Sequence, residues 1–281
     1  MGASSGIGLA TVQYLLDRGY YVFGSVRKDE DAKKLARLFA KNFQPLIFDV
    51  TDEPAIAAAA AQVKQAIGDS NLSGLVNNAG MVISAPILHV SKAAMREQFD
   101  VNTFGPVTMA QVFFPLLKGT RGQAPGRIVN VTSISAEIAV PFLGPYSASK
   151  RALMSLCHTL RREYSPYGIK VVEVMPGRVN TGIIKKLPPN AQAYQSTDFA
   201  EAMTQYLREA QAAQGSGLSP ESVAATVYQA LSVANPKLRY VRPDQYLGRW
   251  KIPMNLPLRL VDRLLAKRLR LLPAFLKNEQ D

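Results

Sequence analysis

Tyr146 and Lys150 bound the stretch "YSASK", and their spacing of four places both on one face of a helix. A tyrosine hydroxyl ordinarily titrates near about 10 and is a poor acid-base catalyst at neutrality. A fixed ammonium beside it favours the phenolate, and each tenfold gain in that form corresponds to about 1.4 kcal/mol. Tyr146 could then move a proton to or from a hydroxyl or carbonyl oxygen. Ser133 ends the preceding strand-like run "GRIVNVTS" and could hold that oxygen. Tyr-x3-Lys alone occurs by chance in many helices, so its surroundings decide its meaning.

Those surroundings read as a nucleotide site. "GASSGIG" carries Gly2, Gly6 and Gly8 ahead of the helical run "LATVQYLLDRG". Glycines let backbone amides approach a pyrophosphate, and the helix N-terminus adds a favourable dipole. At the end of the next strand, "GSVRK", Arg27 suits a 2′-phosphate on the adenosine ribose, which favours NADP(H). Asp29, about 20 residues beyond the glycines, is the counter-reading and would admit NAD(H). In "VNNAG" the adjacent asparagines end an apolar strand. For Asn77 a structural brace is at least as good a reading as ligand contact.

The elements that must hold these residues alternate regularly. "YYVFGSV", "FQPLIFDV", "LSGLVNN", "GRIVNVTS" and "IKVVEVMPG" read as buried strands, and "RYVRP" as a possible last one. Helical runs separate them, including long ones at about 92–117 and 146–165. This is the pattern of a Rossmann-type α/β fold, a doubly wound parallel sheet whose ligands sit beyond the strands' carboxyl ends. A single domain over 1–245 is expected, with a substrate flap at about 182–218 and a basic amphipathic tail over 246–281. One element is missing. A phosphate-cradling turn follows a strand, yet only Met1 precedes Gly2.

Composition sets the outer bounds. The charge of +12 is concentrated in residues 237–281, which hold eleven Lys/Arg against four Asp/Glu. No nucleic-acid motif accompanies it, so no nucleic-acid partner is expected. Cys157, the single cysteine, excludes an internal disulfide and reads as a buried thiol in a reducing compartment, hence a cytoplasmic protein. His89 and His158 lack metal-ligand spacing, and no metal is expected. In the tail, Leu258, Val261, Leu265, Leu269 and Leu272 share helical spacing, with Arg259, Arg263, Lys267 and Arg270 on other faces. Docking of the leucines over the cleft or a partner subunit is the preferred expectation; peripheral contact with an anionic membrane is the alternative.

Together "GASSGIG", "DVTD", "NNAG", the Asn of "DVNTFG", Ser133, "YSASK" and "PGRVNT" resemble the short-chain dehydrogenase/reductase family, in that family's order, over about residues 2–181. The resemblance implies hydride transfer between a nicotinamide and an alcohol, ketone or aldehyde. Ser133 would orient the substrate oxygen and Tyr146 would be the acid-base residue. Lys150 would lower the tyrosine pKa and hold the nicotinamide ribose, and Asn102 would hold a relay water. Gly2, Ser4, Ser5, Gly6, Ile7 and Gly8 would line the pyrophosphate and ribose phosphate. Asp49 and Val50 would contact adenine, and Asn78, Ala79 and Gly80 the adenosine side. Pro176, Gly177, Val179 and Thr181 would contact the carboxamide end. "VFGSVRK" and the basic tail resemble members acting on retinoids, steroids or other lipophilic alcohols. Homodimers or homotetramers through the long helices are implied. A non-catalytic cofactor sensor or scaffold of the same fold is the alternative, and a peripheral membrane module with incidental fold a weaker third. The family also places a strand before Gly2, so the chain as given is expected to be truncated by a misplaced start codon, with about 5–10 residues upstream.

Overall fold

A computed structural model describes residues 2–119, 122–181 and 194–271. Six parallel strands run through it: β1 (Val22–Val26), β2 (Phe43–Ile47), β3 (Gly74–Asn77), β4 (Arg127–Val131), β5 (Lys170–Pro176) and β6 (Arg239–Arg242). Helices fill the crossovers. They are α1 (Gly6–Leu16), α2 (Asp29–Leu38), α3 (Glu53–Ile67), α4 (Lys92–Phe99), α5 (Gly105–Leu117) and α6 (Gly144–Glu163), then α7 (Ala200–Ala212), α8 (Pro220–Ser232), α9 (Ile252–Asn255) and α10 (Leu258–Arg268). Leucines, valines and alanines from α3, α5 and α6 pack on one face of the sheet, around Ile56, Val63, Phe113 and Leu153. The other face lies under α1, α2 and α8, where Val12, Leu35, Val223 and Val227 are buried. This is the doubly wound arrangement that the continuous Val/Ile runs require.

The strands fall into two hydrogen-bonded sets, β1-β2 and β3-β4-β5-β6. Between β1 and β3 lies a cavity of about 130 Å³, lined by Val12, Leu15, Phe23, Leu75, Val76 and Leu231 among others. Gly2 and Ala3 cross its upper end. The Ala3 N–H donates to the Ser25 carbonyl at 2.9 Å, and Asn78 Nδ2 reaches the Gly2 carbonyl at 3.5 Å. Among the described residues no strand fills the space beneath them. The two halves are joined through α1, which packs against both β1 and α8, and through α3 and α5, whose shared core takes in Leu46 of β2 and Leu75 of β3.

The expected long helix at 92–117 is interrupted. Residues Asp100–Phe104 form a wider, five-residue-spaced turn between α4 and α5. Pro106 supplies the reason, for it has no N–H to close the ordinary ladder onto the Asn102 carbonyl. Within the expected flap, 182–193 lie outside the described residues, and α7 occupies most of the remainder.

Strands paired on one side only open more readily than strands held on both. In hydrogen exchange, segments 22–26 and 74–77 should exchange at least tenfold faster than 127–131 and 170–176. Equal protection would mean that the edges facing the cavity are covered.

Candidate active site

The chemistry assembles at the carboxyl ends of β3, β4 and β5. Ser133 follows β4 and is buried, and its Oγ accepts from the Ser135 N–H at 3.1 Å. Tyr146, in the first turn of α6, stands near enough to the Ser133 side chain for that hydroxyl to favour its phenolate. One helical turn on, the buried Lys150 donates from Nζ to the Val131 carbonyl at 3.0 Å. That bond ties α6 to the end of β4 and brings Ser133, Tyr146 and Lys150 into one group, as their spacing predicts.

The electrostatics differ from the expectation. Burial pushes the Tyr146 hydroxyl above its ordinary range, and the Ser133 hydroxyl draws it only partly back. Burial also pushes Lys150 down to about 8. The ammonium spends its contact on a neutral carbonyl, so desolvation outweighs the lowering of the tyrosine that its spacing suggests.

Asn102 is fully buried in the wide turn before α5. Its Oδ1 accepts from the Met81 N–H at 2.9 Å, and Nδ2 donates to the Met81 carbonyl and Ser149 Oγ, each at 3.0 Å. Both side-chain donors are therefore committed to protein. Ser149 Oγ donates in turn to the Tyr146 carbonyl at 2.8 Å, and Thr103 Oγ1 to the Ser149 carbonyl at 2.9 Å. Gln98, one turn before Asn102, bonds the Ile83 N–H and Met81 carbonyl at 2.7 and 2.6 Å. Sequence reasoning missed Ser149, Thr103 and Gln98. Their only signal was position, Gln98 and Ser149 one helical turn from Asn102 and Tyr146, and Thr103 next to Asn102.

The glycine turn fits a pyrophosphate. Gly2 and Gly6 adopt left-handed φ of +69° and +56°, and a Cβ on Gly8 would stand 1.9 Å from the Gly2 carbonyl oxygen. Ser5 caps α1 with extended backbone but no side-chain bond, which leaves the first N–H groups of α1 for a ligand. Ser4 and Ser5 are exposed and Ile7 half-buried. From the opposite rim Thr181 approaches Gly6, its Cγ2 standing 3.1 Å from where a Gly6 Cβ would be. Pro176 ends β5, Val179 is buried, and Gly177 packs against Asp244 so closely that a Cβ would sit 2.7 Å from its Oδ1. Across the cleft the Ala79 Cα lies 3.3 Å from a Gly2 Cβ position, and a Cβ on Gly80 would stand 3.6 Å from Lys150 Nζ. Arg27 extends into solvent from the end of β1 and forms a loose 3.8 Å pair with Asp49, whose Oδ1 accepts from the Thr51 N–H and hydroxyl. Asp29 is engaged with Lys33 in its own helix at 2.6 Å. The Val50 side chain is turned inward beside Gly105.

Other sequence expectations resolve structurally. Asn77 braces the core, its Nδ2 donating to Asn130 Oδ1 at 2.7 Å and to the Pro106 carbonyl at 3.2 Å. Asn130 Nδ2 donates to Cys157 Sγ at 3.1 Å, and burial raises that thiol to about 12, so it is no nucleophile. An apolar cluster gathers on Phe142, in the loop that joins Ser133 to Tyr146. Phe142 packs with Met203, Phe199, Tyr206 and Leu269, and Ile87 lies against Gly144. Leu269 thus docks as the tail spacing predicts. Leu258 does not, being 75% exposed at the start of α10, and Leu272 lies outside the described residues. Among the described residues no group of His, Cys, Asp and Glu could hold a metal, and no helix is long and apolar enough to cross a membrane.

The sequence profile of the short chain dehydrogenase family matches residues 1–192. An NADPH-dependent 3-dehydrocapnine reductase of Ornithobacterium rhinotracheale is 37% identical, over 96% of this chain and 95% of its own. A 3-ketodihydrosphingosine reductase of Bacteroides thetaiotaomicron is 30% identical, over 85% and 84%. Among solved structures, a short chain dehydrogenase of Burkholderia cenocepacia J2315 in complex with NADP superposes with a TM-score of 0.69 at 26% identity, covering 97% of this chain and 96% of that one.

The buried ammonium has a readable pH signature. Below about pH 8 native and unfolded chains both carry the Lys150 charge, and the desolvation penalty is complete. Between about 8 and the ordinary 10.5 the unfolded chain keeps a proton that the native chain has released, so stability rises with pH. Relative to Lys150→Met, the native chain should gain about 2 kcal/mol from pH 8 to pH 10 in denaturant unfolding. A difference independent of pH would show that the ammonium is hydrated.

Proposed function

This chain belongs to the short-chain dehydrogenase family and is an oxidoreductase of carbonyl and CH–OH groups, and on that premise we propose an NADP(H)-dependent reductase of a lipophilic 3-keto compound. The grouping of Ser133, Tyr146 and Lys150 at the carboxyl end of β4, with Lys150 Nζ bonded to the Val131 carbonyl, carries the reading. When bound, NADPH supplies the hydride. The glycine turn and the α1 N-terminus would hold its pyrophosphate, and Lys150 its nicotinamide ribose. Arg27 would meet the ribose 2′-phosphate, supported by its open position and by the engagement of Asp29 with Lys33.

Ser133 and Tyr146 both direct hydroxyls at a substrate carbonyl oxygen, one to hold it and one to protonate it as charge develops. A tyrosine pKa held high suits the donor role, because the proton stays on oxygen until the acceptor becomes basic. Lys150, near 8, can restore that proton close to neutrality. The Asn102 side chain has no donor left for a relay water, but its main-chain carbonyl is released from the ordinary helical ladder by Pro106 and can accept one. The wall of Phe142, Tyr206, Phe199 and Leu269 favours an apolar substrate, and the names of the two reductase relatives point to a 3-keto group. Homo-oligomers through α5 and α6 belong to the same reading, with exposed Phe104 at the start of α5 as a contact.

Tyr146→Phe should lower kcat by about 10² or more with 3-ketodihydrosphingosine or 3-dehydrocapnine and NADPH, leaving cofactor affinity within about threefold. No turnover by the parent favours the sensor or scaffold, and unchanged turnover by the variant removes Tyr146 from the chemistry. Arg27→Ala should raise KM for NADPH about tenfold or more while moving KM for NADH little, a loss of about 1.4 kcal/mol or more. Equal effects on both cofactors would remove Arg27 from the site.

A further inference from the structure

The tail is anchored at two points and open between them. Trp250 packs on Met154, Met175 and Val241 beside Ala136, and Leu269 is buried with Phe142 and Met203. Arg249–Asp244 at 2.9 Å, Arg268–Glu209 at 2.6 Å and Arg270–Glu201 at 2.9 Å reinforce both ends. The stretch between these anchors turns large apolar side chains to solvent. Ile252 is 51% exposed, Met254 43%, Leu258 75%, Leu260 41% and Leu264 52%.

Charge says what this face meets. Lys251, Arg259, Arg263 and Lys267 are exposed and form no ion pair among the described residues. Asp262 is the one acidic residue between Asp244 and Glu279. On α10, Arg259, Arg263 and Lys267 follow one another at four-residue spacing, and Leu260 and Leu264 run as a parallel ridge beside them. Val261, Leu265 and Leu269 turn the other way, toward the body of the protein, where burial deepens along the helix. An apolar ridge flanked by long cationic side chains matches an anionic bilayer surface, where leucines enter the acyl boundary and ammonium and guanidinium groups reach lipid phosphates. A second copy of this chain would set like charges against each other.

We propose that residues 252–267 form a peripheral docking face for an anionic bilayer. Its anchors touch Ala136 and Phe142, on the loop that joins Ser133 to Tyr146, so docking brings the cleft to the lipid surface. Sedimentation of the full chain with vesicles tests this independently of any turnover. The parent should partition at least tenfold more strongly onto phosphatidylcholine vesicles containing 30% phosphatidylglycerol than onto phosphatidylcholine alone, and weaken in 0.5 M NaCl. Leu260→Ser/Leu264→Ser should lower partitioning at least tenfold, and Arg259→Gln/Arg263→Gln should remove the preference for anionic lipid, with unchanged circular dichroism in both. Equal partitioning of parent and variants overturns the proposal, as does a parent that binds neither vesicle. A parent dimer that the leucine variant dissociates, seen by sedimentation velocity, assigns the face to a second copy and also overturns it.

Discussion

One bond sets the geometry of the site, the donation from Lys150 Nζ to the carbonyl of Val131. It crosses from the first turns of α6 to the last residue of β4, the two elements that carry Tyr146 and Ser133. The ammonium is almost wholly enclosed, and an unpaired charge in such a place is costly. A neutral carbonyl compensates it only in part, which is why burial draws Lys150 down to about 8. Such a group is strained toward deprotonation and gains from any ligand that brings acceptor oxygens. Surrounding polar groups hold the same elements without charge. Asn102 reaches from the wide turn to Met81 and Ser149, and Asn77 and Asn130 link β3, β4 and α6 through Cys157. The Asn102 amide satisfies the Met81 N–H and carbonyl, which the helices and sheet leave free.

The break between β1 and β3 runs beside this frame rather than through it. The proposed catalytic groups follow β4 or lie on α6 and the turn before α5, all beside the four-stranded half of the sheet. The ribose-phosphate side, with Arg27 and Asp49, belongs to the two-stranded half. Gly2 and Ala3 bridge the halves at the turn proposed to hold the pyrophosphate. A dinucleotide spanning both halves would therefore stabilise the sheet as well as bind it, because a ligand held only by the native arrangement shifts folding by mass action. Cofactor affinity and sheet integrity are linked through the same few residues.

Much of this was legible in the sequence because it depends on local rules. Uninterrupted Val/Ile runs announced buried parallel strands, and a Tyr and Lys four apart announced a shared helix face. Glycines ahead of a helix announced the phosphate turn. What escaped depends on tertiary surroundings. The rise of the Tyr146 pKa is a property of the walls around it, not of its spacing from Lys150. The wide turn at 100–104 follows from Pro106, yet a hydrophobic periodicity that continues past it hides the break. Ser149 and Gln98 look like ordinary helix residues until the loop at Met81 is folded against them. In the tail the leucine spacing gave the docking face of Leu269 but not the outward turn of Leu258, Leu260 and Leu264.

Desolvation gives these features a common logic. Burial raises the Tyr146 pKa, and the tail buries Leu269 against Phe142, on the loop that joins Ser133 to Tyr146. A hydride transfer that charges a carbonyl oxygen is served by a dry site with a few aimed hydroxyls, since each such contact is stronger where water is excluded. Dryness alone would penalise a charged cofactor, and the residues proposed to meet its phosphates, Ser4, Ser5 and Arg27, are exposed at the open rim. The cleft is thus graded, solvated where anionic groups enter and apolar where hydride and proton are delivered. That gradient favours a substrate whose bulk is hydrophobic and whose reactive oxygen is its leading polar atom.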